Sequence, residues 1–153
     1  MGERELHVVE QLQAALPRED VVAGLLDPET QLKVADALSR FATPDFEVRM
    51  VGPERLGANS FVGEGATGFT AVWGEWTSAF QSFRIEIDET IDAGEVILSL
   101  VRISGRTRTD GVAVEQSGAA IWTVRDDKVI RAEFHLDRAG AIKAAGLSEG
   151  AGG

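Results

Sequence analysis

Two residues apart near the end of the chain, His135 and Asp137 would bring a titratable imidazole and a carboxylate to one rim of the structure that carries them. An imidazole in that place can act as a general base or hydrogen-bond donor near neutral pH. Both residues also have a plainer use. Asp137 stands directly before Arg138-Ala139-Gly140-Ala141 and suits a helix N-cap, a role worth roughly 0.5–2 kcal/mol. The backbone N–H bonds that a cap accepts make any carboxylate a poorer base. His135 fits a surface or a subunit contact equally well. Trp73, Trp76 and Trp122 suit either core packing or the wall of a pocket for a flat ligand. Glu115 and Gln116 are strand neighbours of opposite parity, so one of them turns toward the interior and can offer it a polar group.

The elements that position these residues can be read from periodicity. Residues 111–147 predict two long strands joined by a tight turn at Asp126-Asp127-Lys128, then a short helix opening at Asp137. Upstream, Leu6, Val9, Leu12 and Leu16 predict one helix, and Val21, Val22, Leu25 and Leu26 a second. A third is capped by Asp27-Pro28 and carries a stripe of Leu32, Ala35, Leu38 and Phe41. Phe46, Val48 and Met50 alternate as a short strand. Residues 54–68, spaced by four glycines, predict a mobile loop, and Val72, Trp73, Trp76 and Phe80 line a fourth helix. Strands follow from Phe83 to Asp92, Val96 to Arg108, Val112 to Arg125 and Val129 to Leu136. This order describes one α+β domain over residues 1–147, with helices gathered on one face of a curved antiparallel sheet and a flexible tail at 148–153. Val96, Leu98 and Leu100 oppose Ile97, Val101 and Ile103, so both faces of that strand are apolar. The helices cover one face, and a second copy of the chain is expected to cover the other.

Composition narrows the partners. The 153 residues are 44% hydrophobic and 26% charged, as in an ordinary globular domain. A net charge of −10 argues against nucleic acid and against an anionic membrane surface. The absence of cysteine excludes disulfides, thiolate catalysis and Cys-ligated metals, and His7 and His135 alone cannot build a His-rich metal cluster. The charged opening MGERELHVVE and the lack of a long apolar run predict a cytoplasmic protein with no membrane span.

Residues 41–53 (FATPDFEVRMVGP), 68–95 (GFTAVWGEWTSAFQSFRIEIDETIDAGE) and 111–147 resemble the SnoaL-like branch of the nuclear transport factor two-like superfamily. The resemblance implies a cone-shaped, barrel-like domain, with helices on the concave face of the sheet. It also implies a small apolar ligand inside, dimerisation through the outer sheet face and no cofactor. By the same resemblance Asp137 matches the acid/base of the polyketide cyclases, which would make the chain a cofactor-independent cyclase or isomerase acting on a small polycyclic or ketone substrate. The alternative is a non-catalytic binding or dimeric interaction module, because this fold hosts many activities. Two departures restrict the choice. The chain has no tyrosine to serve as the oxyanion donor of ketosteroid isomerases. Nor do Arg102 and Arg108 show the arginine–aspartate spacing of the epoxide hydrolases.

Overall fold

The computed structural model describes residues 3–16, 20–51, 60–78, 80–93, 96–135, 138 and 141–142. Three helices open the chain, α1 (Glu3–Ala15), α2 (Val21–Leu26) and α3 (Pro28–Phe41). Asp20 and Asp27 cap the second and third, their carboxylates accepting from the N–H groups of Ala23 and Thr30 at 3.3 and 3.2 Å. Strands β1 (Ala42–Val51) and β2 (Ser60–Glu64) lead to helix α4 (Gly65–Thr77). Four long strands complete the sheet: β3 (Phe80–Asp92), β4 (Ile97–Thr107), β5 (Ala113–Arg125) and β6 (Lys128–His135).

The six strands lie in the order β2-β1-β6-β5-β4-β3, antiparallel throughout except where β1 runs parallel to β6. The sheet is therefore open, with β2 and β3 as its edges, rather than a closed barrel, and it departs from the purely antiparallel expectation at that one pairing. Pro44 falls where the β1–β6 register shifts between Ala42 and Glu47, at a bulge where its missing N–H costs no ladder bond. The sheet is also curved. Helix α4 packs on β1 and β2. Laid flat, β6 and β3 would lie about 14 Å apart, yet the Trp73 ring of α4 meets Phe134 on the first at 4.9 Å and Phe83 on the second at 6.2 Å.

The concave face holds the main core. Val9 and Leu12 of α1, Val34 and Leu38 of α3, and Phe69 and Trp73 of α4 pack there on Met50, Ile97, Trp122 and Phe134. Leu98, Ala119 and Ile121 form a smaller cluster on the convex face. Both faces of β4 are thus apolar. Part of the convex cover comes from the chain itself, since the helical residues Ala141 and Ile142 pack on that cluster. Arg138 fastens this segment, donating to the carbonyls of Val101 (2.8 Å) and Gly118 (3.3 Å) and to Asp88 (3.1 Å). Arg102 holds the same aspartate at 3.0 Å. Hydrogen bonds from Arg102 and then Arg138 keep the Asp88 carboxyl below its usual range, against a smaller opposing effect of burial.

Three expectations change, the first being that Phe80, read with Val72, Trp73 and Trp76 as lining the fourth helix, opens β3 instead, since α4 ends at Thr77. Residues 60–68 are not loop but β2 and the first turn of α4, because Gly63 and Gly68 let strand and helix backbones touch. The buried stripe of α3 is Val34, Ala37 and Leu38 with Phe41, whereas Leu32 is 72% exposed. The turn between β5 and β6 places both Asp126 (φ 52°) and Asp127 (φ 62°) in the left-handed region, the geometry of a type I′ hairpin for which Asn-Gly is the favoured pair. Replacing the pair as Asp126→Asn with Asp127→Gly is expected to stabilise the chain by about 0.5–1 kcal/mol. The check is a higher urea midpoint at unchanged m-value.

Candidate functional site

The concave core is incompletely filled. A cavity of about 70 Å³ lies between the sheet and the helices, bordered by Leu16, Val21 and Leu25 at the α1–α2 end and by Ile85, Ile87 and Ile103 of the sheet. Trp73, Trp76, Trp122 and Phe134 form its aromatic side. These rings hold one another in edge-to-face contact: Trp73 to Phe134 at 4.9 Å, Trp122 to Phe134 at 5.5 Å and Trp73 to Phe83 at 6.2 Å. The helical spacing of Trp73 and Trp76 puts both on the inner side of α4. Strand alternation brings Trp122 to the same face of β5 as Ala120.

The three indoles differ in one respect. Trp122 donates its N–H to Ser99 Oγ at 3.2 Å, and Ser99 in turn donates to Gln13 Oε1. This chain of polar groups is buried, with Ser99 fully inaccessible and Gln13 8% exposed. By contrast, the N–H groups of Trp73 and Trp76 are buried without a hydrogen-bond partner. Leaving such a donor unpaired costs about 1–3 kcal/mol. Neither Gln13 nor Ser99 stands out as a motif. Each nevertheless interrupts an apolar pattern, Gln13 beside Leu12 on the buried side of α1 and Ser99 within Val96-Ile97-Leu98-Ser99-Leu100-Val101.

His135 borders the cavity at the end of β6. Its carbonyl oxygen comes so close to β5 that a Cβ on Gly118 would lie 2.6 Å from it. Its imidazole looks the other way. Phe134 and Ala132 face the helices, so His135 shares the convex face with Glu133, and its Nε2 lies 3.6 Å from Glu133 Oε1. At that distance the contact is an ion pair when the imidazole is charged, not a formed hydrogen bond, and Nε2 has no hydrogen-bond partner. The neighbouring imidazole, followed by Arg131, holds the Glu133 carboxyl below its usual range although burial opposes this. Glu133 belongs to a charged row on β1 and β6, in which Arg131 reaches Glu47 at 3.4 Å and Arg49 reaches Glu47 at 3.1 Å.

The remaining residues singled out from the sequence are dispersed. Glu115 is exposed on the convex face, and Gln116 is half-buried on the inner row of β5; neither borders the cavity. Asp137 lies outside the described residues. Among the described residues no group of three His, Cys, Asp or Glu side chains could hold a metal ion. Nor is any helix there long and apolar enough to cross a membrane.

Comparison with known proteins bears on this architecture. The family model of the SnoaL-like domain matches residues 30–132. An NTF2-like protein of unknown function from Burkholderia pseudomallei K96243 superposes with a TM-score of 0.59 at 16% identity, over 92% of this chain and 96% of its own. A putative SnoaL-like polyketide cyclase from Jannaschia sp. CCS1 gives 0.55 at 18% identity over 80% and 81% of the two chains. TerC, co-crystallised with polyporic acid, gives 0.53 at 18% identity over 82% and 95%. At these identities the likeness is one of fold. No curated protein matches the sequence. The family match alone spans more than half of the chain, and the open curved sheet with its covering helices is the fold it requires, so the chain belongs to the SnoaL-like family.

Proposed function

We propose that the concave cavity is a small-molecule site of the kind found in cyclases and isomerases, and that it moves a proton on a small ketone without a cofactor. The observation that carries this reading is an apolar hollow, closed by three tryptophans, at the end of β6 where the chain goes on to Asp137. Asp137 takes the acid/base role here from the family resemblance, two residues along the chain from His135, which borders the cavity. At about 70 Å³ the space is well under the ~300 Å³ of pockets that bury drug-sized molecules. It is nearer in scale to the ~150 Å³ cavities that take up benzene. Size therefore argues against a polycyclic substrate and makes a single small ring the upper limit.

In this reading Asp137 removes a proton from the carbon beside the carbonyl and returns it, while Trp73, Trp76 and Trp122 wall off water. His135 is the second candidate for the proton, set back by the engagement of its imidazole with Glu133. Dimerisation through the convex face belongs to the same proposal. A second copy would rest on what Ala141 and Ile142 leave open, including the half-buried Ile91 and Leu100.

The experiment is exchange of the α-hydrogens of cyclopentanone for deuterium in D2O, followed by proton NMR. The chain is expected to accelerate exchange over buffer by about 10²–10⁴. Asp137→Asn is expected to fall to the buffer rate with an unchanged circular dichroism spectrum, because Asn also caps helices. Loss of exchange in His135→Gln instead would move the role to His135. Tight ketone binding with no exchange in the unaltered chain would favour the non-catalytic module, a reading supported by the lack of any carboxylate among the described residues that border the cavity.

A further inference from the structure

The concave face of the sheet carries small side chains in its middle, where large ones surround them. The inward row of β5 runs Gln116, Gly118, Ala120 and Trp122. Ala120 lies opposite Ser99 on β4 and Phe134 on β6, and Gly118 lies opposite Val101. Two of these small residues have a reason of their own. A Cβ on Gly118 would stand 2.6 Å from the His135 carbonyl oxygen and 3.1 Å from Ile103 Cδ1, so no side chain fits there. Ser99 is held by its hydroxyl, which accepts from Trp122 and donates to Gln13. Ala120 has neither reason. It is 5% exposed, packs in the concave core with Trp122 and Phe134, and is the one of the three that borders the cavity. A buried strand position of this kind favours Val or Ile, and alanine leaves apolar room unfilled, at a cost in packing.

We propose that Ala120 is the specificity-determining residue of the site: its short side chain keeps the hollow open, and its size sets the largest ligand that the cavity admits. The inference rests on the reading of the cavity as a ligand site, but not on catalysis there. Val101 and Ile103 on β4 and Ile85 and Ile87 on β3 border the same space. What this wall sorts is the hydrocarbon body of a ligand, by bulk and not by charge. In an apolar pocket one methylene too many or too few is worth about 10–200-fold, so a single side chain in the floor is enough to move the limit. The choice of alanine also has a direction. Filling a cavity ordinarily stabilises a protein, and where the empty space is used the gain comes with lost function.

The test uses Ala120→Val, which adds two methyl groups to the floor, and Ala120→Gly, which removes one. The full chain and both variants are unfolded in urea and titrated by NMR with xenon, which enters dry apolar cavities, and with acetone, cyclopentanone and cyclohexanone. In Ala120→Val the urea midpoint should rise at unchanged m-value while xenon binding falls by about tenfold or more. Cyclopentanone should lose about tenfold relative to acetone, a split by size that general damage to the fold does not produce. In Ala120→Gly the balance should move the other way, toward cyclohexanone. A lower midpoint in Ala120→Val, undiminished xenon binding, an equal fall for both ketones, or an unaltered chain that takes up none of these probes would overturn the inference. Ketone binding sorted by Ala120 but without deuterium exchange leaves Ala120 in its role and removes the proposed reaction. Undiminished exchange of cyclopentanone in a stabilised Ala120→Val chain does the reverse.

Discussion

Gly68→Ala is expected to lower the stability of the chain by about 3 kcal/mol, although alanine is the better helix former. Gly68 is the fourth residue of α4, and on propensity alone the change should add about 1 kcal/mol. The packing decides otherwise. A Cβ at Gly68 would sit 2.7 Å from the carbonyl carbon of Gly63 and 3.0 Å from its Cα, and a Cβ at Gly63 would meet the Gly68 oxygen at 2.6 Å. All of these are backbone atoms, so no side chain can swing aside. Helix α4 must lift off β2 instead. The next residues along it are Phe69, Val72 and Trp73, all buried, and Phe69 and Trp73 border the cavity. The displaced helix should therefore loosen ligand binding as well as unfold at lower urea. Gly74, further along the same helix, meets nothing within 4 Å of a built Cβ. Gly74→Ala should show the propensity gain alone, and the pair of variants separates contact from propensity. A Gly68→Ala chain as stable as Gly74→Ala would show that the two backbones do not touch.

The same contact shows why some of the structure can be read from sequence and some cannot. Periodicity is local, and it locates α1, α2, β1 and the meander β3 to β6 to within a few residues because each buries one face against a continuous core. It misplaces the stripe of α3, since Leu32 and Val34 satisfy a helical pattern equally well and only docking on the sheet chooses Val34. It misses β2, where Gly63 and the nearby glycines carry a loop composition and the reason for them, close contact between the backbones at Gly63 and Gly68, leaves no periodic pattern. The two apolar faces of β4 are visible in its sequence. The chain's own C-terminal residues on the convex side are not, because Ala141 and Ile142 look like any short helix until Arg138 is seen bound to the carbonyls of Val101 and Gly118.

The site divides along the same line. That three tryptophans could wall a pocket is legible from residue type. That two keep a free N–H while the third does not depends on Ser99 and Gln13, residues 86 apart in sequence. The parity of β6 poses the alternatives for His135, and the packing of Phe134 on Phe69 and Trp73 turns the imidazole to the convex side.

Ser99→Ala tests the buried polar chain, and the expected loss is about 2–4 kcal/mol, more than most buried Ser→Ala changes. Ser99 serves two partners at once, accepting from Trp122 Nε1 at 3.2 Å and donating to Gln13 Oε1. Removing its hydroxyl strands a donor on β5 and an acceptor on α1, and both are shut away from solvent on the evidence of their burial, Trp122 at 2% and Gln13 at 8% exposed. Each costs about 1–3 kcal/mol when unpaired. Rotation of Gln13 toward the cavity offsets part of that, which sets the estimate below the sum. The partition follows from a double-mutant cycle in urea with Trp122→Phe, which removes the indole N–H and keeps a ring in place. In that background Ser99→Ala should cost less by about 1 kcal/mol or more, because one of the two stranded groups no longer exists. An identical cost in both backgrounds would mean that the serine hydroxyl does not serve the indole.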